Sequence, residues 1–504
     1  MTATIRIELQ SITDVEADVL IVNLFEGTTQ PTGATGALDQ ALGGQISALI
    51  ETGDFTGKFK ELKVLYPFGK LKAKRIFLVG LGEAAEFTHP RARQAAAVAA
   101  RAARDHKAVT VATVVHGAGE GHLDTALAAQ ALTEGTLLGL YQVTTLKKHQ
   151  TPSTLTDLIV VEADAEKYQA IHDGIERGRV IADATNYARE LINRPANLLT
   201  PTNLADAAQD VANRFGLGLN ILGDQELKDI GANAILAIGQ GSPEESRLIV
   251  LNYHGNPDSE ETLALVGKGI TFDTGGYTLK PAAGMENMKT DMGGAGAVLG
   301  AMQAIAQLKP KANIMAVIPA AENMVSGTAI KPGDVIVTMN GKSMEIVNTD
   351  AEGRVVLADA ITYALRNGAT KLVDVATLTG AISVALGRQV AGLFTNDTDF
   401  ASVVKEAFHR SGERAWELPI VEDYSNAYKS NVADMKNSAG RDGGSIIAAM
   451  ILREFVEETP WVHLDIAGVA RDIEGNQELN PRGATGFGVR TLVELAFLQE
   501  SQEQ

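Results

Sequence analysis

The feature that most limits how this chain folds is the alternation of short, wholly apolar runs with helix-patterned segments. "ADVLIVNLF" (17–25), "RIFLVGLG" (75–82) and "VTVATVVHG" (109–117) have the composition of strands buried on both faces. Between the last two lies "PRARQAAAVAARAARDH" (90–106), a helical pattern that opens on proline. Parallel strands need long crossover connections, so this alternation predicts an α/β domain with a largely parallel sheet. A polar loop, "KKHQTPSTLTD" (147–157), and a further strand, "LIVVEA" (158–163), follow. A long helical pattern then runs from about 166 to 193 and stops at Arg194-Pro195, because the residue before a proline disfavours helix.

The 504 residues exceed what one hydrophobic core serves, so more than one domain is expected. The boundary is placed near 165. A smaller N-terminal α/β domain spans 1–165, and a larger α/β domain spans 166–504, with a central mixed sheet flanked by helices. In the larger domain, strands are expected at 246–255, 262–270, 312–323, 371–380 and 461–469. Helices are expected at about 203–215, 293–308, 353–367 and 443–457.

Two glycine-rich stretches, "VGLGEA" (79–84) and "HGAGEG" (116–121), look like halves of a dinucleotide fingerprint. Neither completes G-x-G-x-x-G at a helix start with an acid about 20 residues on, so both read as tight turns. There are 44 basic and 62 acidic residues, a net charge of −18. Such a surface repels phosphates and anionic lipids, which argues against nucleic acid and membranes as partners. The absence of cysteine excludes disulfides, thiolate catalysis and cysteine-ligated zinc. "MTATIRIELQ" lacks the cationic start and apolar run of a signal peptide, and no apolar span reaches 18 residues, so a cytoplasmic protein is expected.

The densest chemistry lies in "GKGITFDTGGYTLKP" (267–281), "MKTDMGG" (288–294) and "VNTDAEGRVVLADA" (347–360). Lys268 and Asp273 end apolar runs, and Gly275-Gly276 permits an unusual turn. In open α/β sheets, ligands bind beyond the carboxyl ends of strands. Asp350 and Glu352 occupy such an end if "SMEIV" (343–347) is a strand. Asp273, Asp291, Asp350 and Glu352 can therefore converge, with Lys268, Lys280 and Arg354 among them. Four carboxylates do not stay ionised together without cations. Lysine and arginine balance them in part, and two divalent metals about 3.5–4 Å apart do so better. Oxygen-rich ligation suits Mn²⁺ and Mg²⁺, and Zn²⁺ accepts Asp and Glu. The competing reading is an ion-pair network, with the D-x-E at 350–352 a solvated turn. It must explain several charges among apolar strands, where each buried ion carries a desolvation penalty of several kcal/mol.

At these residues the sequence resembles the leucine aminopeptidase (cytosol aminopeptidase) family of di-metal aminopeptidases. "NTDAEGR" (348–354) is its signature. "KGITFDTGGYTLKP", "MKTDMGGAGAV" (288–298), "DVATLTGA" (374–381), "ARELINRPANLLTP" (188–201), "ADMKN" (433–437) and "HLDIAG" (463–468) stand around it. The resemblance covers about 170 to 495. It implies that Lys268 and Asp291 ligate one metal and Asp350 the other, with Asp273 and Glu352 serving both. It further implies that Lys280 stabilises the gem-diolate. Arg354 would hold a bicarbonate that acts as general base toward a metal-bridging water. Met288, Thr377, Leu378 and Thr379 would contact substrate. The implied cofactors are two divalent ions, Mn²⁺ or Zn²⁺ with Mg²⁺ or Co²⁺ also suitable, and bicarbonate. The implied reaction is hydrolysis of the N-terminal residue, leucine and other mainly apolar types, from short peptides by a homohexamer.

Some positions depart from the commoner pattern: Gly296 in place of alanine, Tyr277-Thr278 in place of an aliphatic-Ser pair, and Ala470 in place of a methionine. They bear on side-chain preference, not on ligands. His116, His254 and His463 form no H-E-x-x-H and are assigned structural roles. A di-metal phosphoesterase would use similar carboxylates, but neither a P-loop nor histidine-rich ligation is present. A non-catalytic binding protein on the same fold should have lost a ligand or Lys280, and all are retained.

Overall fold

The computed structural model describes residues 3–118, 121–143, 146–148, 154–475, 477–480 and 482–500. Part of "HGAGEG" and part of the 147–157 loop lie outside the described residues. The chain forms two compact units, 1–183 with 475–481, and 184–474 with 482–504. The division falls inside the helix Tyr168–Asn193.

Among the described residues, the first unit holds β1 (Thr4–Leu9), β2 (Val19–Leu24), β3 (Leu62–Leu65), β4 (Arg75–Gly80), β5 (Thr110–Thr113) and β6 (Asp157–Glu162). They form one sheet in the order β1-β6-β5-β2-β4-β3, parallel except for β3 against β4. Successive side chains of β2 feed opposite cores. Leu20 and Val22 pack with Leu38 and Ile46, whereas Val19 and Ile21 pack with Ala95 and Ala99 of helix His89–Asp105. Burial on both faces is why these strands read as unbroken apolar runs. β1 alternates partly buried with exposed residues, and its sequence carries no apolar run. The glycines of "VGLGEA" serve packing: a Cβ on Gly80 would lie 2.1 Å from the Lys58 carbonyl oxygen.

The second unit is built on β7 (Gly218–Leu222), β8 (Arg247–His254), β9 (Leu263–Gly267), β10 (Gly269–Asp273), β11 (Asn313–Asn323), β12 (Val335–Val337), β13 (Ser343–Glu345), β14 (Lys371–Ala376), β15 (Ala391–Thr395), β16 (Ala415–Glu417), β17 (Met435–Lys436) and β18 (Trp461–Asp465). Its main sheet runs β16-β15-β18-β14-β9-β11-β8-β7, with β10 paired to β11. The centre, β18-β14-β9-β11, is parallel, and β15 and β8 run antiparallel on either side of it. The sheet is thus mixed, as expected. Its core includes Val266, Val317, Ala358, Ile361, Met450 and Trp461.

Two expectations need correction. The run 262–270 is not one strand. It breaks at Lys268, whose N–H donates to Val375 O and whose carbonyl accepts from Ala295 N, so the chain leaves β9 and pairs onward with β11 only. "SMEIV" does contain a strand, β13, but it belongs to a small sheet with β12 and β17, not to the main sheet.

Candidate active site

Five polar residues sit at or just past the carboxyl ends of main-sheet strands: Lys268 after β9, Asp273 on β10, Asn323 on β11, Thr377 after β14 and Asp465 on β18. Parallel strands point these ends the same way, so chemistry from distant sequence gathers at one edge. Two helices begin at the same edge. Asp291 lies in the 3₁₀ turn Met288–Met292 that leads into helix Gly293–Leu308. Glu352 is the N-cap of helix Gly353–Arg366, with Asp350 two residues before it. Glycine is required where these elements meet. A Cβ on Gly353 would stand 2.7 Å from Lys268 Cε and 2.8 Å from its Nζ. Gly275 has φ +83°, and a Cβ there would meet Asp350 Oδ1 at 2.7 Å.

Lys268 Nζ lies 2.9 Å from Asp291 Oδ1 and 2.7 Å from Glu352 Oε1, and it donates to Thr377 O at 3.1 Å. Lys280 Nζ lies 2.7 Å from Asp273 Oδ2 and 2.5 Å from Asp350 Oδ1. Asp273, Asp350 and Glu352 each present an oxygen within 4.8 Å of the others'. Lys268, Asp273, Asp291, Glu352 and Arg354 are buried, and Asp350 is partly so.

The electrostatics are unbalanced. Burial pushes Asp273 up to about 6, with Glu352 adding to the rise and both lysines opposing it. Burial raises Asp291 well above the carboxylate range and raises Asp350 as well. Burial also works against ionised Glu352, but Lys268 and Lys280 outweigh it and hold that carboxyl below its ordinary value. Burial works against the charge on each lysine, yet the carboxylates raise both. Burial lowers Arg354 to about 10. Glu352 Oε2 and Arg354 Nε are buried with no hydrogen-bond partner among the described residues. An acceptor and a donor left unsatisfied in a buried charged cluster are costly unless something binds them.

The surrounding polar groups hold this arrangement. Asp273 Oδ1 accepts from Gly275 N at 2.8 Å and Asn323 Nδ2 at 2.7 Å, and Asn323 Nδ2 also reaches Thr349 O at 2.9 Å. Thr349 Oγ1 donates to Gly275 O at 2.6 Å, tying "NTD" to the glycine turn. Asn437 clasps the same segment through Asn348 O and Val347 N. Thr377 Oγ1 donates to Asp291 Oδ1 at 2.7 Å, while Leu378 and Thr379 turn toward Asp465. Met288 opens the turn that carries Asp291 and is half-buried. Sequence reasoning assigned no role to Asn323, Thr349, Asn437 or Asp465. Thr349, Asn437 and Asp465 lie in "NTDAEGR", "ADMKN" and "HLDIAG", so a signal for them was present.

The departures have local causes. A Cβ on Gly296 would meet Ile192 Cγ1 at 2.8 Å, so glycine there makes room for the isoleucine. Tyr277 Oη donates to Ser326 O. His116 is buried 2.6 Å from Asn23 Nδ2, and His463 pairs with buried Asp374 at 2.6 Å, both structural placements. His254 ends β8 and is exposed.

A buried cluster of carboxylates stands at the strand ends, flanked by two lysines, and three of the carboxylates are close enough together to hold a metal ion. The family model described as "Cytosol aminopeptidase family, catalytic domain" matches residues 186–493, and that of the family's N-terminal domain matches 21–150. The chain belongs to the cytosol aminopeptidase family. It is a metallo-aminopeptidase, a hydrolase acting on peptide bonds. It is similar to a "Probable cytosol aminopeptidase" of Alkaliphilus oremlandii, 42% identical over 98% of this chain and 99% of the relative. It is also similar to one of Bacillus subtilis, 43% identical over 95% and 96%. Among solved structures, a mutant of tomato leucine aminopeptidase is similar with a TM-score of 0.87 and 35% identity, covering 98% of this chain and 96% of that one. The bottromycin maturation enzyme BotP, in complex with Mn, gives 0.85 and 35%, covering 96% and 100%. No helix among the described residues is long and apolar enough to cross a membrane.

Proposed function

We propose that this enzyme removes the N-terminal residue from short peptides with the help of two divalent ions. Lys268 and Asp291 would hold one, Asp350 the other, and Asp273 and Glu352 would serve both. The observation that carries this is the charge excess at the strand ends, four carboxylates around two lysines with Glu352 Oε2 unpartnered. When bound, a divalent pair supplies Lewis acidity and lowers the pKa of a water toward neutrality. The donor set of oxygens and one amine suits Mn²⁺ or Zn²⁺, with Mg²⁺ or Co²⁺ also accommodated.

The chain's own groups then have distinct tasks. Lys280 is 17% exposed and held by two carboxylates, so its ammonium is oriented and still reachable. It would stabilise negative charge developing on the scissile carbonyl oxygen. The Arg354 guanidinium, buried with Nε free of a partner, is the group to hold a bicarbonate as general base. A metal or Asp273 would receive the substrate's free α-amine, which restricts cleavage to the N-terminus. Met288 would help line the pocket for a mainly apolar first residue, methionine sulfur adapting to varied shapes, and the Thr377–Leu378–Thr379 segment would contact the substrate backbone. A homohexamer in the cytoplasm is the assembly and location that go with this reading.

The test is hydrolysis of Leu-, Met-, Arg- and Asp-p-nitroanilide after chelation, then with Mn²⁺, Zn²⁺, Co²⁺ or Mg²⁺ restored. Metal-restored cleavage of free-amine substrates, with N-acetylated ones untouched, is the expected result. No cleavage with any metal by folded protein overturns the reading.

A further inference from the structure

Beyond the Thr377–Thr379 segment lies a buried carboxylate that none of the roles above uses. Asp465 ends β18 and is wholly buried. Its Oδ1 accepts N–H groups from Leu378 at 3.1 Å, Ala467 at 3.2 Å and Thr379 at 3.4 Å. Its Oδ2 accepts the Thr379 hydroxyl at 2.7 Å, and that hydroxyl is also 2.7 Å from Ser445 Oγ. A buried charge held by three N–H groups and one O–H has little freedom, and it fixes the backbone that donates to it.

The other side of the same segment touches the ion cluster. Thr377 O accepts from Lys268 Nζ at 3.1 Å. Thr377 Oγ1 donates to Asp291 Oδ1 at 2.7 Å and Asp291 O at 3.0 Å. Three residues of backbone therefore join Asp465 to Lys268 and Asp291, the two residues proposed to serve one metal alone. Asp273 is held separately by Asn323.

We propose that Asp465 is a positioning residue of the metal centre, which fixes Thr377–Thr379 and through it the Lys268 amine and the Asp291 carboxylate. This rests on Lys268 and Asp291 being metal ligands. Asp465 touches neither metal nor substrate. Its effect is selective, because the segment it braces contacts one half of the cluster and not Asp273 or Asp350.

The experiment compares wild type, Asp465→Asn, Thr379→Val and Thr379→Ser as full-length protein. Asp465→Asn keeps the volume but turns one acceptor into an amide that faces donors. Each protein is chelated and titrated with Mn²⁺ by calorimetry, melted without metal, and assayed on Leu-p-nitroanilide. The weaker affinity of one Mn²⁺ step by about tenfold or more in Asp465→Asn, the range for outer partners of metal ligands, is expected. The other step should stay within twofold, kcat should fall more than KM rises, and the chelated melting temperature should shift by only a few degrees. Thr379→Val should weaken the same Mn²⁺ step to a lesser degree, and Thr379→Ser should return that step, read by calorimetry alone, to the wild-type affinity. Unchanged isotherms in Asp465→Asn overturn the proposal. So do equal losses at both steps that track a lowered melting temperature, the pattern of a merely structural residue. A wild type that binds Mn²⁺ yet cleaves nothing refutes the aminopeptidase reading, while the isotherms still decide the role of Asp465. A wild type that binds no Mn²⁺ overturns both.

Discussion

Each unit buries a glutamate against a cation beside a glycine, and the two sites are put to different use. In the first unit, Glu134 on helix Thr125–Leu140 pairs with Arg93 on helix His89–Asp105 at 2.7 Å. Gly135 follows, and a Cβ there would lie 2.1 Å from Arg93 O. Gln130 Nε2 donates to the second oxygen of Glu134 at 2.7 Å. In the second unit, Glu352 pairs with Lys268 at 2.7 Å, and Gly353 follows against the lysine stem. The local designs match, but the charge counts do not. Arg93 and Glu134 balance one to one. Lys268 shares its charge with Asp291 as well, and Asp273 and Asp350 crowd the neighbouring lysine. A one-to-one pair carries no net charge, whereas a cluster with more carboxylates than cations attracts a further cation.

The comparison breaks most clearly at Glu352. Glu352→Ala should lower kcat/KM by on the order of 10³-fold or more, since on the proposed reading it removes a ligand and not one of the outer partners that cost about 10–100-fold. Lys280→Ala should cost about 10²–10³-fold, as for loss of one oxyanion-stabilising donor. Both variants should melt within a few degrees of chelated wild type. Near-wild-type rates in either would refute the assigned roles.

Glu134→Ala should behave oppositely. It leaves a buried guanidinium without its partner, and denaturant titration should find the chain about 3–5 kcal/mol less stable. Its Mn²⁺ affinity per folded molecule should not change. A stable variant with weakened metal binding would show that the two pairs do not differ as described.

Gly353→Ala sharpens the comparison within the site. The methyl group must displace the Lys268 amine, and kcat/KM should drop by up to about 10²-fold, the cost of an ångström-scale misplacement. Retained activity would mean that Lys268 moves freely.

The smallest effect concerns Asp359, a buried carboxylate hydrogen-bonded by backbone N–H groups, with Arg366 acting on it only through its charge. It accepts from Ala234 N, Ile235 N and Met339 N. Burial raises it to about 7, against those three donors. The folded state therefore binds this proton more tightly than the unfolded chain, whose value is 3.8. Its contribution to stability is fully present below about 3.8 and is lost as pH rises through about 7. Melting of wild type relative to Asp359→Asn should fall across that window. A difference independent of pH would refute the assignment.

Much of the site was legible because its residues are chemically conspicuous. Asp273, Asp291, Asp350 and Glu352 beside Lys268 and Lys280 stand out in glycine-rich, apolar surroundings, and the structure does bring them together. The contacts of Asn323, Thr349 and Asn437 were not legible, although the last two stand in "NTDAEGR" and "ADMKN". Their amides and hydroxyls act on partners 26 to 89 positions away, and no periodicity marks them. Among strands, β2, β4 and β11 were readable as apolar runs buried on both faces. The edge strand β1, with only partial burial, offered no such run.

The residue types and their order determined by themselves the α/β class, the run of buried strands and the inventory of metal-seeking and charge-stabilising groups, because these depend on local composition. Only tertiary structure decided which groups meet. The break after β9 turns Lys268 into the cluster, the small sheet of β12, β13 and β17 delivers Asp350 and Glu352 from outside the main sheet, and β18 sets Asp465 behind Thr377. Each of these depends on strand pairing between segments far apart in sequence, and such pairing is settled by packing and hydrogen bonds, not by local pattern.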